Sequence, residues 1–290
     1  MPTYSTFSIV AYDPSEIAWG IAVASKFPAV GAVVPWARAG AGAVATQSYA
    51  NTTYGPIGLD LMQEGLSAEE ALRQLTEKDD ERDQRQAGMV DANGNPATFT
   101  GEKCLDWAGG ETGKNFAVQG NILTGPETIH AMMEGYIKTQ GDLADRLLAA
   151  LFAGDRAGGD SRGRQSASIL VVKHEAGYGG FNDRWMDYRV DDHEDPVPQL
   201  FDLIEMHRLY FGESSEEDRI QITGDVAIQL QTIAQAQGYY QGSINGEYDE
   251  ATRSALRSFI GNENFEERID FEEGIIDKPV LDFLLKRFSN

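Results

Sequence analysis

The strongest constraint lies near the start of the chain. TFSIVA (6–11) and IAWGIAVAS (17–25) are short, almost unbroken apolar runs, and Asp13-Pro14 stands between them as a turn signal. Apolar runs bracketing such a signal read as two strands. SASILVVK (166–173) is a third run, strongly β-branched, and reads as a central strand. Shorter strands are expected at 32–34, 43–48, 116–121 and 187–190. A hairpin is expected where 87–90 and 97–99 flank Asn93-Gly94.

Helices fall between these strands in clusters. In LSAEEALRQLTEKD, Ser67 and Glu70 form a capping box, and Ala68, Ala71, Leu72 and Leu75 keep helical spacing. Further helices are expected at 126–139, 143–152 and 198–210. Clustered strands with clustered helices indicate a layered α+β fold rather than alternating βαβ units. Strands in contact, with helices over the outer faces, fit a sandwich.

Composition changes near Gly212, where GESSEEDR forms a polar, acidic connector. The expected domains are therefore 1–214 and 215–290. The second places Val226, Leu230 and Ile233 on one helix face, with Gly238 as a stop. Asp249 caps a second helix carrying Ala251, Ala255, Leu256 and Phe259. Pro279 opens a third, with Val280, Leu281, Leu284 and Leu285 on its face. Three short helices make a small bundle.

The chain has 290 residues and a net charge of −22, and both parts are acidic. Such a surface repels phosphate backbones, which disfavours nucleic acid as a partner. No stretch reaches the ~20 apolar residues of a membrane span. MPTYSTFSIV lacks a basic segment followed by an apolar core, so the cytoplasm is the expected location. The single cysteine, Cys104, excludes an internal disulfide and a Cys-rich metal site.

Several ungapped blocks occur in order: GIAVASKFPAVGAVVPWARAGAGAVATQSYANTTYGPIGLDLMQEGLSAEEAL, WAGGETG, QGNIL, GGDSRGRQSA and GYGGFNDRWMDYRVDDHEDP. Together they resemble domain-of-unknown-function family 1028, over roughly residues 4 to 210. That family is classed with the Ntn hydrolases. The resemblance implies a four-layer αββα sandwich and hydrolysis of an amide bond. It also implies a nucleophilic Thr, Ser or Cys exposed at a chain N-terminus, whose α-amine is the base. LQTIAQAQGYYQGSINGEYDEATRSALRSF is similar to small three-helix peptidoglycan-binding-like domains. The same pattern describes how such a bundle packs, with or without a glycan ligand.

Thr6 is the first candidate nucleophile. A hydroxyl needs a base within hydrogen-bond reach, and the resemblance supplies its own amine once the chain is cut between Ser5 and Thr6. Lys26, at the end of the next strand, is the expected electrostatic helper. Ser8 and Ser48 are the fallback nucleophiles. The plainer possibility is that Thr6 and Ser8 are strand residues and Lys26 a surface one. GGDSRGRQSAS gathers Asp160, Arg162 and Arg164 in a glycine-rich loop, and arginine forks suit a substrate carboxylate. The same residues also make a structural turn held by an Asp–Arg pair.

Gln47 and Asn51, and Gln119 and Asn121, are polar breaks in apolar strands that suit substrate or oxyanion contacts, or simple loop bonding. VDDHEDP is acidic, but its consecutive side chains diverge, so no metal is expected. Cys104 is expected to be a packed thiol.

The expected function is hydrolysis of a linear or cyclic amide in a small, carboxylate-bearing substrate such as an N-acyl amino acid or ureido acid. No cofactor is expected, and a homo-oligomer is. The alternative is a non-catalytic binding or assembly scaffold. Peptidoglycan or another protein is the candidate partner for residues 215–290.

Overall fold

The computed structural model describes residues 6–288. The chain forms two compact units, divided between Leu203 and Ile204.

The first unit opens with β1 (Thr6–Asp13), β2 (Ala18–Ser25), β3 (Pro35–Arg38) and β4 (Gly42–Ser48). Two helices follow, α1 (Tyr54–Gln63) and α2 (Ala68–Glu77). Then come β5 (Arg85–Asp91), β6 (Pro96–Thr100), β7 (Gly109–Gly113) and β8 (Phe116–Asn121). Helices α3 (Glu127–Lys138) and α4 (Leu143–Arg156) lead to β9 (Ser166–Val172), β10 (Arg184–Val190) and α5 (Pro196–Phe211).

Strands β10-β9-β2-β1-β8-β7 form a six-stranded antiparallel sheet, and β3-β4-β5-β6 a four-stranded one. The sheets face each other through β1, β4, β5 and β8. α3 and α4 cover the outer face of the larger sheet, and α1 and α2 that of the smaller. The result is an α+β fold in αββα layers. An apolar core containing Val10, Ile21, Val23, Ala45, Val90 and Leu170 lies between the sheets. A second, with Tyr54, Leu59, Leu72 and Met89, lies beneath α1 and α2.

Local signals explain much of this. The Ser67–Glu70 capping box starts α2, and an Asp142–Asp145 box starts α4. The β-branched run at 166–172 lies inside the sheet, between β2 and β10. Three elements depart from expectation. Residues 32–34 are not a strand: Val30–Ala32 is a 3₁₀ turn entered through Ala29 in the left-handed region, and β3 begins only at Pro35. α1 forms despite Gly55, Pro56 and Gly58, because Tyr54, Leu59 and Met62 are buried. β7 (GGETG) has poor strand composition, and its pairing with β8 holds it.

The second unit contains α6 (Asp225–Ala236), α7 (Glu250–Asn262) and α8 (Lys278–Phe288). Asp249 caps α7 by accepting from the Thr252 amide at 2.8 Å. The three-helix expectation needs one addition. β11 (Arg219–Gln221), β12 (Ile269–Asp270) and β13 (Ile275–Asp277) form a small sheet in the order β11-β13-β12. The division at 203/204 falls inside α5, upstream of the polar connector at 215. Leu209 and Tyr210 pack on the second unit's core, and the Tyr210 ring stacks on Phe265 with centroids 4.6 Å apart. That packing draws the end of α5 into this unit.

Candidate active site

The two sheets meet through alternate residues of each strand, so the composition of these positions decides what lies between them. Along β1 the inward series is Thr6, Ser8, Val10. On the paired strand β8 it is Asn121, Gln119, Ala117. On β4 it is Gln47, Ala45, Ala43, opposite Gln86, Gly88, Val90 on β5. Every series turns from apolar to polar toward the Thr6 end.

The polar ends lock together. Ser8 donates to Gln47 Oε1 at 2.6 Å and accepts from Gln119 Nε2 at 2.6 Å. Gln47 Nε2 reaches Gln86 Oε1 at 2.9 Å and the Thr6 and Gln119 carbonyls at 3.3 Å. Asn121 Nδ2 also donates to Gln86 Oε1, at 2.8 Å. Gln86 Nε2 in turn donates to the Gly120 carbonyl at 2.7 Å, the Gly109 carbonyl at 3.1 Å and Thr100 Oγ1 at 3.0 Å. Gln86 therefore ties both sheets to this seam. Gly88 makes room for it: a Cβ there would lie 1.9 Å from Gln119 Oε1.

Thr6 stands at the end of the seam. Its hydroxyl lies 3.2 Å from that of Ser25, the last residue of β2. A cavity of about 200 Å³ opens beside it, lined by Thr6, Gln47, Ser48 and six largely apolar residues. One wall is the segment that crosses from β2 to β3. The Ser166 hydroxyl pins that segment, donating to the Phe27 carbonyl at 2.5 Å and accepting from the Val30 amide at 3.1 Å. Ser48 lies in the left-handed region, φ 65°, at a position where a non-glycine residue is strained.

Thr6, Gln47 and Ser48 thus share one cavity, and Ser8, Gln119 and Asn121 lie behind them in the seam. The amide N–H groups of Gln47 and Asn121 are turned into the seam. Asn51 belongs elsewhere: its amide donates to Asp79 at 3.1 Å and accepts from Thr53. Lys26 is exposed and donates to the Arg164 carbonyl at 3.1 Å; the side chain at the Thr6 hydroxyl is that of Ser25.

The arginines expected to clamp a carboxylate hold carboxylates of this chain. Arg162 Nη2 meets Asp160 at 3.0 Å. Arg164 Nε meets the buried Asp155 at 2.6 Å. Asp160 also accepts the Lys26 amide at 2.7 Å, so this loop braces the strand ends flanking Thr6. Ser5, on the far side of the expected cleavage, lies outside the described residues.

Arg85 is held by Asp79 at 2.9 Å and Glu81 at 2.7 Å, and its guanidinium lies over the ring of Tyr49, a residue of the cavity lining. Burial pushes the Asp79 carboxyl up, but hydrogen bonds from Arg85, Asn51 and Tyr54 outweigh it and hold it well below the usual carboxylate range. Burial and Asp79 push the Tyr54 hydroxyl up. Cys104 is buried, which raises its thiol pKa, and it donates to the Arg85 carbonyl. Among the described residues no group of three or more His, Cys, Asp and Glu is placed to hold a metal ion. Among the same residues no helix is long and apolar enough to cross a membrane.

A family model described as "Family of unknown function (DUF1028)" matches residues 6–200. The chain belongs to this family. The DUF1028 match begins at Thr6 itself and takes in the whole seam. The crystal structure of protein SPO2555 from Silicibacter pomeroyi, assigned to DUF1028, is similar at 31% identity and a TM-score of 0.65, covering 77% of this chain and 89% of that one. A second model, described as "Putative peptidoglycan binding domain", matches residues 210–284. No curated protein matches the chain.

Gln86, Ser25, Ser166 and the cavity wall at 27–34 are functional positions absent from the sequence-based expectations. Gln86 precedes an apolar run in RQAGMV, and its period-two alignment with Gly88 and Val90 was the available signal.

Proposed function

We propose that the DUF1028 unit is an Ntn-type hydrolase of a small amide, with Thr6 as nucleophile. The observation that carries this is the Thr6 hydroxyl at the cavity wall, on a central strand and beside the Ser25 hydroxyl. In a chain cut before Thr6, the freed α-amine takes the hydroxyl proton as Oγ1 attacks the substrate carbonyl. The C–N bond breaks, the leaving amine carries that proton away, and an acyl ester remains on Thr6. Water then adds to the ester, releases the acid and returns a proton to Oγ1. Gln86, through Gln47 and Asn121, holds the strands that carry Thr6 in register. Ser25 orients the hydroxyl.

The reading includes cytoplasmic residence and a substrate whose carboxylate, where present, lies outside the cavity. Residues 210–284 are proposed as a module for peptidoglycan or a protein partner. Their loop at 242–248 is braced by the buried Gln231, which meets Asn245, Glu247 and Thr252.

The test is turnover of short N-acyl amino acids, ureido acids and simple amides by a chain beginning at Thr6. Hydrolysis that Thr6→Ala abolishes supports the reading, and a processed protein inert to all three classes opposes it. A non-catalytic scaffold is the second reading, favoured by the engagement of Arg162 and Arg164 with the chain's own acids.

A further inference from the structure

We propose that the cavity beside Thr6 is a specificity pocket for a small, neutral, apolar group of the substrate, either a branched aliphatic chain or a single ring. Charged parts of the substrate stay outside it. The word substrate rests on the hydrolase reading above; the pocket's preference rests on its walls.

Size comes first. The cavity is about 200 Å³, somewhat larger than an engineered apolar cavity of ~150 Å³ that holds benzene. A branched aliphatic chain or a single ring is a group of that scale.

The lining comes second. Phe27, Val30, Val33, Val34, Tyr49 and Ala50 form the walls, and among the described residues no charged side chain lines the cavity. Thr6, Gln47 and Ser48 supply the polar atoms of the lining. A carboxylate placed among the valines would lose its hydration with no cation among the described wall residues to replace it. The nearby cations are committed: Arg85 to Asp79 and Glu81, Arg162 to Asp160, and Lys26 to the Arg164 carbonyl.

The walls are also fixed in place. Ser166 pins both Phe27 and Val30, and the Ala29 amide donates to the Asp191 carbonyl at 2.9 Å. Gly31 sits so close to β9 that a Cβ would lie 2.7 Å from Ser168 Cβ. The valines are therefore held before anything binds, which lowers the ordering cost of binding.

The experiment measures binding of isovaleramide, benzamide and the anionic amide succinamate by titration NMR. It uses the full chain, its Thr6→Ala variant, and two fillings from different lining segments, Val33→Phe and Ala50→Leu. Two fillings are used so that one misfolded variant leaves the other informative. The neutral amides should bind both the full chain and Thr6→Ala, and each filling should weaken them by about tenfold or more. Succinamate should bind at least about tenfold more weakly than isovaleramide.

Equal binding of succinamate, neutral binding untouched by either filling, or no binding of any amide overturns the proposal. Ammonia release by a chain beginning at Thr6 separates the two claims. Neutral binding without release keeps the pocket and removes the hydrolase. Release from succinamate in preference to isovaleramide keeps the hydrolase and removes the pocket.

Discussion

The space between the two sheets has two halves built on different principles. Away from Thr6, the facing positions are Val10, Ile21, Ala45, Val90 and Leu170, all buried and apolar. Toward Thr6 they are Ser8, Gln47, Gln86, Gln119 and Asn121, equally buried but polar. The first half stabilises by removing apolar surface from water, which is non-directional and tolerant of detail. The second must satisfy each donor and acceptor, so it is demanding in geometry and contributes little net stability. Such a seam fixes register where a cavity and a hydroxyl must be held, and the apolar half supplies the stability it gives up.

The largest stability effect should come from the apolar half. Ile21→Ala should cost about 3 kcal/mol through a cavity that the strands cannot close. Amide binding beside Thr6 should be unchanged. Urea melts and probe titrations check both, and a loss of binding would break the separation of the halves.

Gln86→Leu should cost less stability, about 2 kcal/mol from stranded amide and carbonyl groups, yet lose most of the binding or turnover at Thr6. A variant as active as the parent would show that the seam does not position the site.

Acid dependence sharpens the contrast. The seam glutamines, Asn121, Thr6 and Ser8 do not titrate in the acid range. Asp79 does, and its folded-state pKa is depressed. It therefore contributes stability that is present above its unfolded pKa of about 4 and lost as pH falls through the lower folded value. Asp79→Asn should be clearly less stable than the parent near neutrality. The gap should close as pH falls below about 4, and thermal melts across that range read it.

The smallest effect belongs to Ser168, an inward residue of β9 whose buried hydroxyl has no hydrogen-bond partner among the described residues. Ser168→Ala should change stability by no more than about 0.5 kcal/mol in either direction. A large loss would place it in the seam.

The sequence makes the frame legible because strand alternation and helix caps are local. The paired runs around Asp13-Pro14, the Asn93-Gly94 hairpin and the Ser67 box each carry their own signal. Polar residues inside apolar strands made Thr6, Ser8, Gln47, Gln119 and Asn121 visible as well. What stayed hidden depends on contacts distant in sequence. Gln86 matters because β5 faces β8, and Ser25 because β2 ends beside Thr6. The nearer carboxylate on Arg164 is that of Asp155, which the last turn of α4 delivers. The cavity wall at 27–34 has no periodicity to read, because it crosses between sheets and is pinned by Ser166, about 140 residues on.

The most direct test is to trap acyl transfer on a chain beginning at Thr6. Incubation with an activated amide or ester of isovaleric acid, followed by intact-mass and peptide mapping, should show one isovaleryl group on the Thr6 hydroxyl. Thr6→Ala should carry none. An acyl group mapped to Ser8, Ser48 or Lys26, or amide turnover by the Thr6→Ala chain, would contradict Thr6 as the nucleophile.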